Sequence, residues 1–345
     1  MQLPKIFKTI RQNIGQKSEK PRYEYQNLVF KGGGVRGIAY MGAMEKLDEL
    51  GIIDGIERVA GTSSGAIAAT LLSFRMPIAD TSALFNNLDL SHIPQKSVRD
   101  RAGKILTTIA NPGSYKRLFD NYGWYSSEYF YQWISQAIAE KCGGNPHATF
   151  RYFKNAGFRE LYIVASNISR HRPEVFSFES TPDVAVADAV RLSMSIPLYF
   201  EALRFDGSQF GQGDFYVDGG LFNNYPVEIF DHLEFVRDPK KFWENLNWET
   251  LGLFLEPDEE KYADVVEHPK NLWEFVALTG RNYYDSHQTS SLRNNPLDEK
   301  RTIKINDCGV SSTDFEICPG SEIYKKLYES GRQAVTDYFN SLEED

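Results

Sequence analysis

Gly61-Thr62-Ser63-Ser64-Gly65 separates a β-like run, Gly55-Ile56-Glu57-Arg58-Val59-Ala60, from a helix-like run, Ala66 to Leu72. The pattern is G-x-S-x-G at a strand-to-helix junction. Glycine at both ends lets the turn take backbone angles that a Cβ forbids, and the serine is pushed out where a substrate carbonyl can reach it. The following helix aims its first N–H groups at any oxyanion that forms there. Ser63 is therefore a candidate nucleophile. Small-residue turns of this kind also arise by chance, so the neighbouring elements decide what it means.

Upstream, Asn27-Leu28-Val29-Phe30 reads as a buried strand. Lys31-Gly32-Gly33-Gly34-Val35-Arg36-Gly37 follows it, and a helical pattern runs from Ile38 to Leu50. Three consecutive glycines make a loop whose amides can all face inward, a nest for negative charge. Gly32, Gly34 and Gly37 also fit G-x-G-x-x-G, the dinucleotide fingerprint. That reading requires an acid at the tip of the next strand, about 20 residues on. Asp54 and Glu57 lie near that distance, but the strand ends at Gly61-Thr62-Ser63. An oxyanion loop accounts for both glycine elements. A dinucleotide site accounts for the first alone and stands as the alternative.

Downstream, Phe215-Tyr216-Val217-Asp218-Gly219-Gly220 is a short strand that ends in an acid and a glycine turn. An acid at the carboxyl end of a strand suits a site at the top of an α/β sheet. Taken singly, Asp-Gly-Gly is an ordinary turn; it gains meaning from the other two elements.

The three elements, in this order, resemble the patatin-like phospholipases, whose pattern is a G-G-G-x-(R/K)-G loop, a G-x-S-x-G elbow and a D-G-(G/A) motif. Here these are Gly32 to Gly37, Gly61 to Gly65 and Asp218 to Gly220. Arg191-Leu192-Ser193-Met194-Ser195-Ile196-Pro197 is similar to the family's S-x-S-x-P stretch beside the site, and Leu161 to Asn167 to the strand before it. Gly309 to Phe315 resembles a C-terminal segment common in bacterial members. The likeness spans about residues 26 to 318.

The resemblance implies a Ser–Asp dyad without a catalytic histidine. Ser63 attacks the ester carbonyl of a phospholipid or lysophospholipid, and Asp218 accepts its proton. The N–H groups of Gly32, Gly33 and Gly34 hold the oxyanion, with Arg36 and Gly37 supporting the loop. Water then cleaves the acyl-enzyme. No cofactor or metal is implied. An aspartate with an ordinary pKa near 4 is a poor base for a serine, so Asp218 is expected to be buried with a raised pKa. Close variants are a bacterial effector lipase switched on by a small molecule or protein, as in defence or virulence. From another class, a non-catalytic nucleotide-binding or scaffold protein could keep the fold.

A competing triad in the order serine, acid, histidine leaves only His232, His268 and His287 after Asp218, out of six histidines. None ends a convincing strand or sits in a glycine-framed loop. His268 precedes Pro269 in a charged stretch and His287 lies in a polar run. Solvated surface positions suit all three.

The 345 residues suffice for one large α/β domain. The order strand, glycine loop, helix, strand, elbow, helix predicts a three-layer α/β/α fold around a mostly parallel sheet, with a helical insert and a C-terminal helix. Thirty-eight basic against 47 acidic side chains give a net charge of −9, with pI near 5.3. That balance argues against a nucleic-acid polymer as partner. Three cysteines, Cys142, Cys308 and Cys318, read as reduced thiols of a cytoplasmic protein. No apolar run reaches the roughly 18 residues of a membrane span, and no secretory leader is evident.

Residues 1–22 form a separate basic segment ahead of a domain at 23–345, divided into core motifs at 26–228 and an extension at 229–345. Lys5, Lys8, Arg11, Lys17, Lys20 and Arg22 face one acid, Glu19, while Leu3, Phe7, Ile10 and Ile14 keep a helical period. Such a helix lies on a membrane surface or packs on its own domain; both readings stay open. So do two for about residues 75–134, where helical runs Ser82 to Leu88 and Ala102 to Ile109 accompany Lys96, Arg99, Arg101, Lys104 and an aromatic run from Tyr115 to Trp133. This is either a lid and acyl-chain wall or a helical cap with an ordinary aromatic core. Leu251 to Leu255 looks like a strand, Tyr225-Pro226 opens a helix to Leu233, and Gly320 to Leu342 forms an amphipathic helix.

Overall fold

A computed structural model describes residues 23–93, 120–258, 268–269 and 295–344. The basic segment 1–22, the helix Ala102 to Ile109, the basic cluster around it and His287 lie outside the described residues. The strands are β1 (Asn27–Phe30), β2 (Arg58–Thr62), β3 (Gly123–Tyr125), β4 (Glu160–Asn167), β5 (Arg172–Phe176), β6 (Leu198–Phe200), β7 (Leu203–Phe205), β8 (Asp214–Asp218), β9 (Phe242–Trp243), β10 (Leu246–Asn247), β11 (Thr250–Glu256) and β12 (Thr302–Asn306). The helices are α1 (Ile38–Glu49), α2 (Ser64–Ser73), α3 (Ile78–Asn86), α4 (Glu128–Lys141), α5 (Phe150–Asn155), α6 (Val186–Ser193), α7 (Pro296–Lys300) and α8 (Glu322–Glu344).

The main sheet has the order β12-β11-β1-β2-β4-β8-β7, with β5 also on β4. From β12 to β4 every pairing is parallel; β5 and β8 are antiparallel to β4, and β7 to β8. Parallel neighbours require crossovers, and α1 and α2 supply the first two. Because both faces are covered, the central strands are apolar nearly throughout, as in Leu28-Val29-Phe30 and Leu251-Gly252-Leu253-Phe254-Leu255.

Alternate side chains serve different layers. Leu28, Phe30, Val59, Leu161, Ile163, Leu251 and Leu253 pack with α1, α2 and α6 in the larger core. Val29, Ala60, Tyr162 and Phe254 face a smaller one with Tyr225, Val227 and Phe230. The helix expected after Pro226 is instead two 3-10 turns, Val227–Phe230 and Leu233–Phe235. Phe230 and Phe235 both set their rings edge-on to Tyr162, a spacing of five residues that one continuous α-helix would not bring to a single point.

The strands of the 229–345 extension belong to the main sheet: β11 lies directly beside β1. Helix α8 lies on α1, and Arg332 bridges Glu45 and Glu49 at 2.5 and 2.8 Å. In the 75–134 region, Phe130 is part of the main core, with Tyr125, Tyr129, Tyr131 and Trp133 packed against it. These five residues of the run are core, whereas Tyr122 stands exposed at 53%. No helix among the described residues is long and apolar enough to cross a membrane.

Candidate active site

One residue separates β2 from α2, and it is Ser63, at φ 55° and ψ −124°. A non-glycine residue held there stores strain of about 1–3 kcal/mol. Close approach explains the glycines on either side. A β-carbon on Gly61 would stand 2.2 Å from the Gly65 carbonyl oxygen, and one on Gly65 would stand 2.3 Å from that of Phe30. Ser63 is 3 % exposed, and its carbonyl accepts the N–H groups of Ala66 and Ile67. The positive end of the α2 dipole therefore begins at this residue.

Strand register brings the end of the acid's strand to the end of the serine's. Residues 160 to 164 of β4 pair with β2, and Thr62 sits opposite Val164. Residues 165 to 167 pair with β8, and Asp218 sits opposite Ala165. Strand β5 occupies the other edge of β4 over residues 163 to 167, so β2 and β8 must share one edge. They run toward each other, and their carboxyl ends meet at adjacent rungs. Asp218 is fully buried, as expected. Its Oδ1 accepts the Gly220 N–H at 2.8 Å, within the 3-10 turn Gly219–Leu221. Gly219 lies against the Val164 carbonyl and the Thr62 methyl.

The end of α6 secures both residues. The Ser193 hydroxyl accepts the Ser63 N–H at 2.8 Å and donates to the Val164 carbonyl at 2.6 Å. Two residues on, the Ser195 carbonyl accepts the Asp218 N–H at 2.7 Å. Ser195 Oγ turns back to the Arg191 carbonyl at 2.8 Å. The S-x-S-x-P resemblance marked this stretch, but its division of labour has no signal in the sequence.

The glycine loop lies beside the elbow. A β-carbon on Gly32 would stand 3.1 Å from Ser63 Cβ. The Gly32 N–H is donated to the Asn224 carbonyl at 3.0 Å, and Asn224 Nδ2 donates back to the Gly32 carbonyl at 3.1 Å. The Gly33 N–H goes to Ser64 Oγ at 3.0 Å. Gly34 has φ +60°, and a β-carbon there would stand 1.9 Å from the Ser312 carbonyl oxygen. Arg36 Nε donates to the Gly33 carbonyl at 2.9 Å, and Gly37 caps the start of α1. Tyr40, whose phenol burial keeps well above its usual pKa, donates to the Lys31 carbonyl where the loop begins. Sequence reasoning missed Asn224, which follows the Asp-Gly-Gly turn and ties it to the loop.

His232 is exposed and His268 is exposed. Among the described residues, no group of three or more His, Cys, Asp or Glu side chains is arranged to hold a metal ion.

Fold and site together define an α/β protein with a strained serine elbow and a buried acid at its tip. The family model described as patatin-like phospholipase matches residues 28–231, and the chain belongs to that family. It is 26% identical over 320 residues to an uncharacterized protein, R571, of Acanthamoeba polyphaga mimivirus, covering 90% of this chain and 93% of that one. It is 28% identical over 218 residues to a probable lipid hydrolase, 463L, of Invertebrate iridescent virus 6, covering 61% and 65%. Among solved structures, VipD from Legionella pneumophila matches with TM-score 0.55 at 19% identity, over 92% of this chain and 67% of that one. ExoU, in its complex with SpcU from the type III secretion system of Pseudomonas aeruginosa, matches with TM-score 0.50 at 20% identity, over 93% and 53%. At these identities the two structures speak for the fold.

Proposed function

We propose that the chain is a lipid acyl hydrolase of the phospholipase A or lysophospholipase type, working through Ser63 and Asp218. The observation that carries this reading is the meeting of β2 and β8 on one edge of β4, with Thr62 and Asp218 on adjacent rungs. Ser63 Oγ attacks the acyl carbonyl of a glycerolipid as its proton passes to Asp218. Collapse of the tetrahedral intermediate breaks the ester bond and returns that proton to the departing alcohol. Water then attacks the acyl-enzyme, again losing a proton to Asp218; the bond from the acyl carbon to Ser63 Oγ breaks, that proton returns to Oγ, and the fatty acid leaves.

Gly33 and Gly34 are the oxyanion donors in this reading. The acceptor of the Gly33 N–H is a rotatable hydroxyl, Ser64 Oγ, which a developing oxyanion can displace. Gly32 is tied to a main-chain carbonyl and shapes the loop. One such donor is worth about 2.7–4 kcal/mol of barrier. The family and its lipid-hydrolase relative support the substrate class. The dinucleotide alternative loses its ribose partner, because Asp54 and Glu57 precede β2 and so lie at its opposite end. Membrane contact through residues 1–22 belongs to the same proposal.

The test is hydrolysis of mixed phospholipids read by mass spectrometry, with fluorophosphonate labelling alongside. Wild type should release fatty acid and take the label; Ser63→Ala should do neither, and Asp218→Asn should lose at least about 10³-fold in turnover. Full activity in Asp218→Asn, or labelling that survives Ser63→Ala, overturns the dyad.

A further inference from the structure

We infer that Asp307 is a positioning residue for the glycine loop, acting through Arg36. The inference rests on the reading of Gly33 and Gly34 as oxyanion donors. Arg36 is buried, and two contacts of its guanidinium bear on the loop. Its Nε donates to the Gly33 carbonyl at 2.9 Å, and its Nη1 meets Asp307 Oδ2 at 2.8 Å. The paired side chains are 8% and 0% exposed. Asp307 is itself fixed on its other oxygen, where Oδ1 accepts the N–H groups of Asp258 at 3.0 Å and Gly309 at 2.9 Å. Its own N–H goes to the Glu256 carbonyl, which anchors it between the ends of β11 and β12.

The same turn touches the loop a second time. The Ser312 carbonyl accepts the Val35 N–H at 3.0 Å and occupies the space that a β-carbon on Gly34 would need. Arg36 thus holds the Gly33–Gly34 peptide at its carbonyl, and Ser312 holds the next peptide, Gly34–Val35, at its N–H. Both holds come from the turn at 307–312.

A guanidinium has five donors in a rigid fork. With a carboxylate on Nη1 its plane is set, and so is the direction in which Nε pulls the Gly33 carbonyl. The carbonyl direction of Gly33 sets the N–H direction of Gly34, because one planar peptide carries both. Asp307 therefore aims an oxyanion donor from 271 residues away. Displacements of about 1 Å at a reacting centre cost on the order of 10²-fold in rate.

The test uses the full chain with Asp307→Asn, which keeps the shape and both main-chain contacts but removes the charge. Turnover of a short-chain ester is measured per fluorophosphonate-titrated site, so an unfolded fraction does not count. The expected result is a kcat lowered about 10- to 100-fold with KM within about twofold, and partial recovery in Asp307→Glu. In Arg36→Lys the further loss on adding Asp307→Asn should be small, because the two act in series. Amide hydrogen exchange supplies a readout independent of turnover: the peptide covering residues 32 to 36 should lose at least about tenfold of its protection. Per-site kcat and exchange both unchanged in Asp307→Asn overturn the inference. Turnover that survives Ser63→Ala sinks the dyad instead, and the exchange result still decides the brace.

Discussion

The hydroxyl of Ser193 accepts the main-chain N–H of Ser63 at 2.8 Å, across 130 residues of chain. The elbow is strained, and this bond is one of the contacts that hold it. Removing it should be felt twice. Ser193→Ala leaves the buried Ser63 N–H without its acceptor, at about 1–3 kcal/mol, and frees the elbow to relax. We expect a lower urea midpoint and a kcat reduced about tenfold or more per labelled site. A variant with wild-type per-site kcat would show that the elbow keeps its shape without Ser193.

Gly34 should tolerate no side chain. Its φ of +60° and the 1.9 Å approach of the Ser312 carbonyl to a built β-carbon act together. Gly34→Ala should cost about 1–3 kcal/mol of stability. It should also slow fluorophosphonate labelling by more than about tenfold, because the loop cannot shift without moving its N–H. Labelling rate and thermal unfolding measured on one preparation check both.

Stability should carry a pH signature from Asp188. Burial pushes its carboxyl above the usual 3.8, opposed by the Tyr131 hydroxyl, which donates to it at 2.6 Å, and by His147 and Arg191. A raised acid binds more protons folded than unfolded, so its contribution is greatest at low pH. It falls as pH rises from 3.8 through the folded value. An asparagine in its place cannot titrate. The stability of wild type minus that of Asp188→Asn should therefore be highest near pH 4 and lowest at pH 7, by urea titration. A flat difference would contradict the burial.

The three thiols should separate cleanly. Burial pushes the Cys142 thiol up to about 11, so about one in a thousand is thiolate at pH 8. Cys318 is exposed and Cys308 partly so. A chromogenic disulfide should modify two thiols in the native protein and the third only with denaturant. Three fast equivalents would place Cys142 nearer the surface.

Local chemistry was readable in the sequence; long-range placement was not. β1 falls at the expected Asn27–Phe30, and α1 ends one residue short of the expected Leu50. A glycine-framed apolar run leaves little choice of strand or helix. Ser63 and Asp218 lie at the strand ends that the sequence indicates, because glycine turns after apolar runs mark such ends. The apolar run Leu251 to Leu255 was legible as a strand, but nothing in it says that it pairs with β1. Parallel partners far apart in the chain share no local pattern. Asn224 and Asp307 stayed hidden for a related reason, and so did the bonds of Ser193, although the S-x-S-x-P resemblance marked its stretch. Each acts through main-chain groups or a distant arginine, and a serine, asparagine or aspartate that holds a backbone looks like any other. The 3-10 turns after Pro226 were misread as a helix because the ring of Tyr162, which fixes their spacing, belongs to another strand.

The bond between Arg36 and Asp307 also sets a clock. During synthesis the glycine loop leaves the ribosome 271 residues before the carboxylate that fixes it. At about 5–20 residues per second, roughly 15–50 s pass in which the nascent chain carries its glycine loop without the Asp307 carboxylate that pairs with Arg36. Strand β1 waits as well, since β11 is not yet made. A chain assembled in this order carries its strained elbow long before the C-terminal turn that contacts the glycine loop exists, and stalled or truncated products inherit Ser63 without that turn.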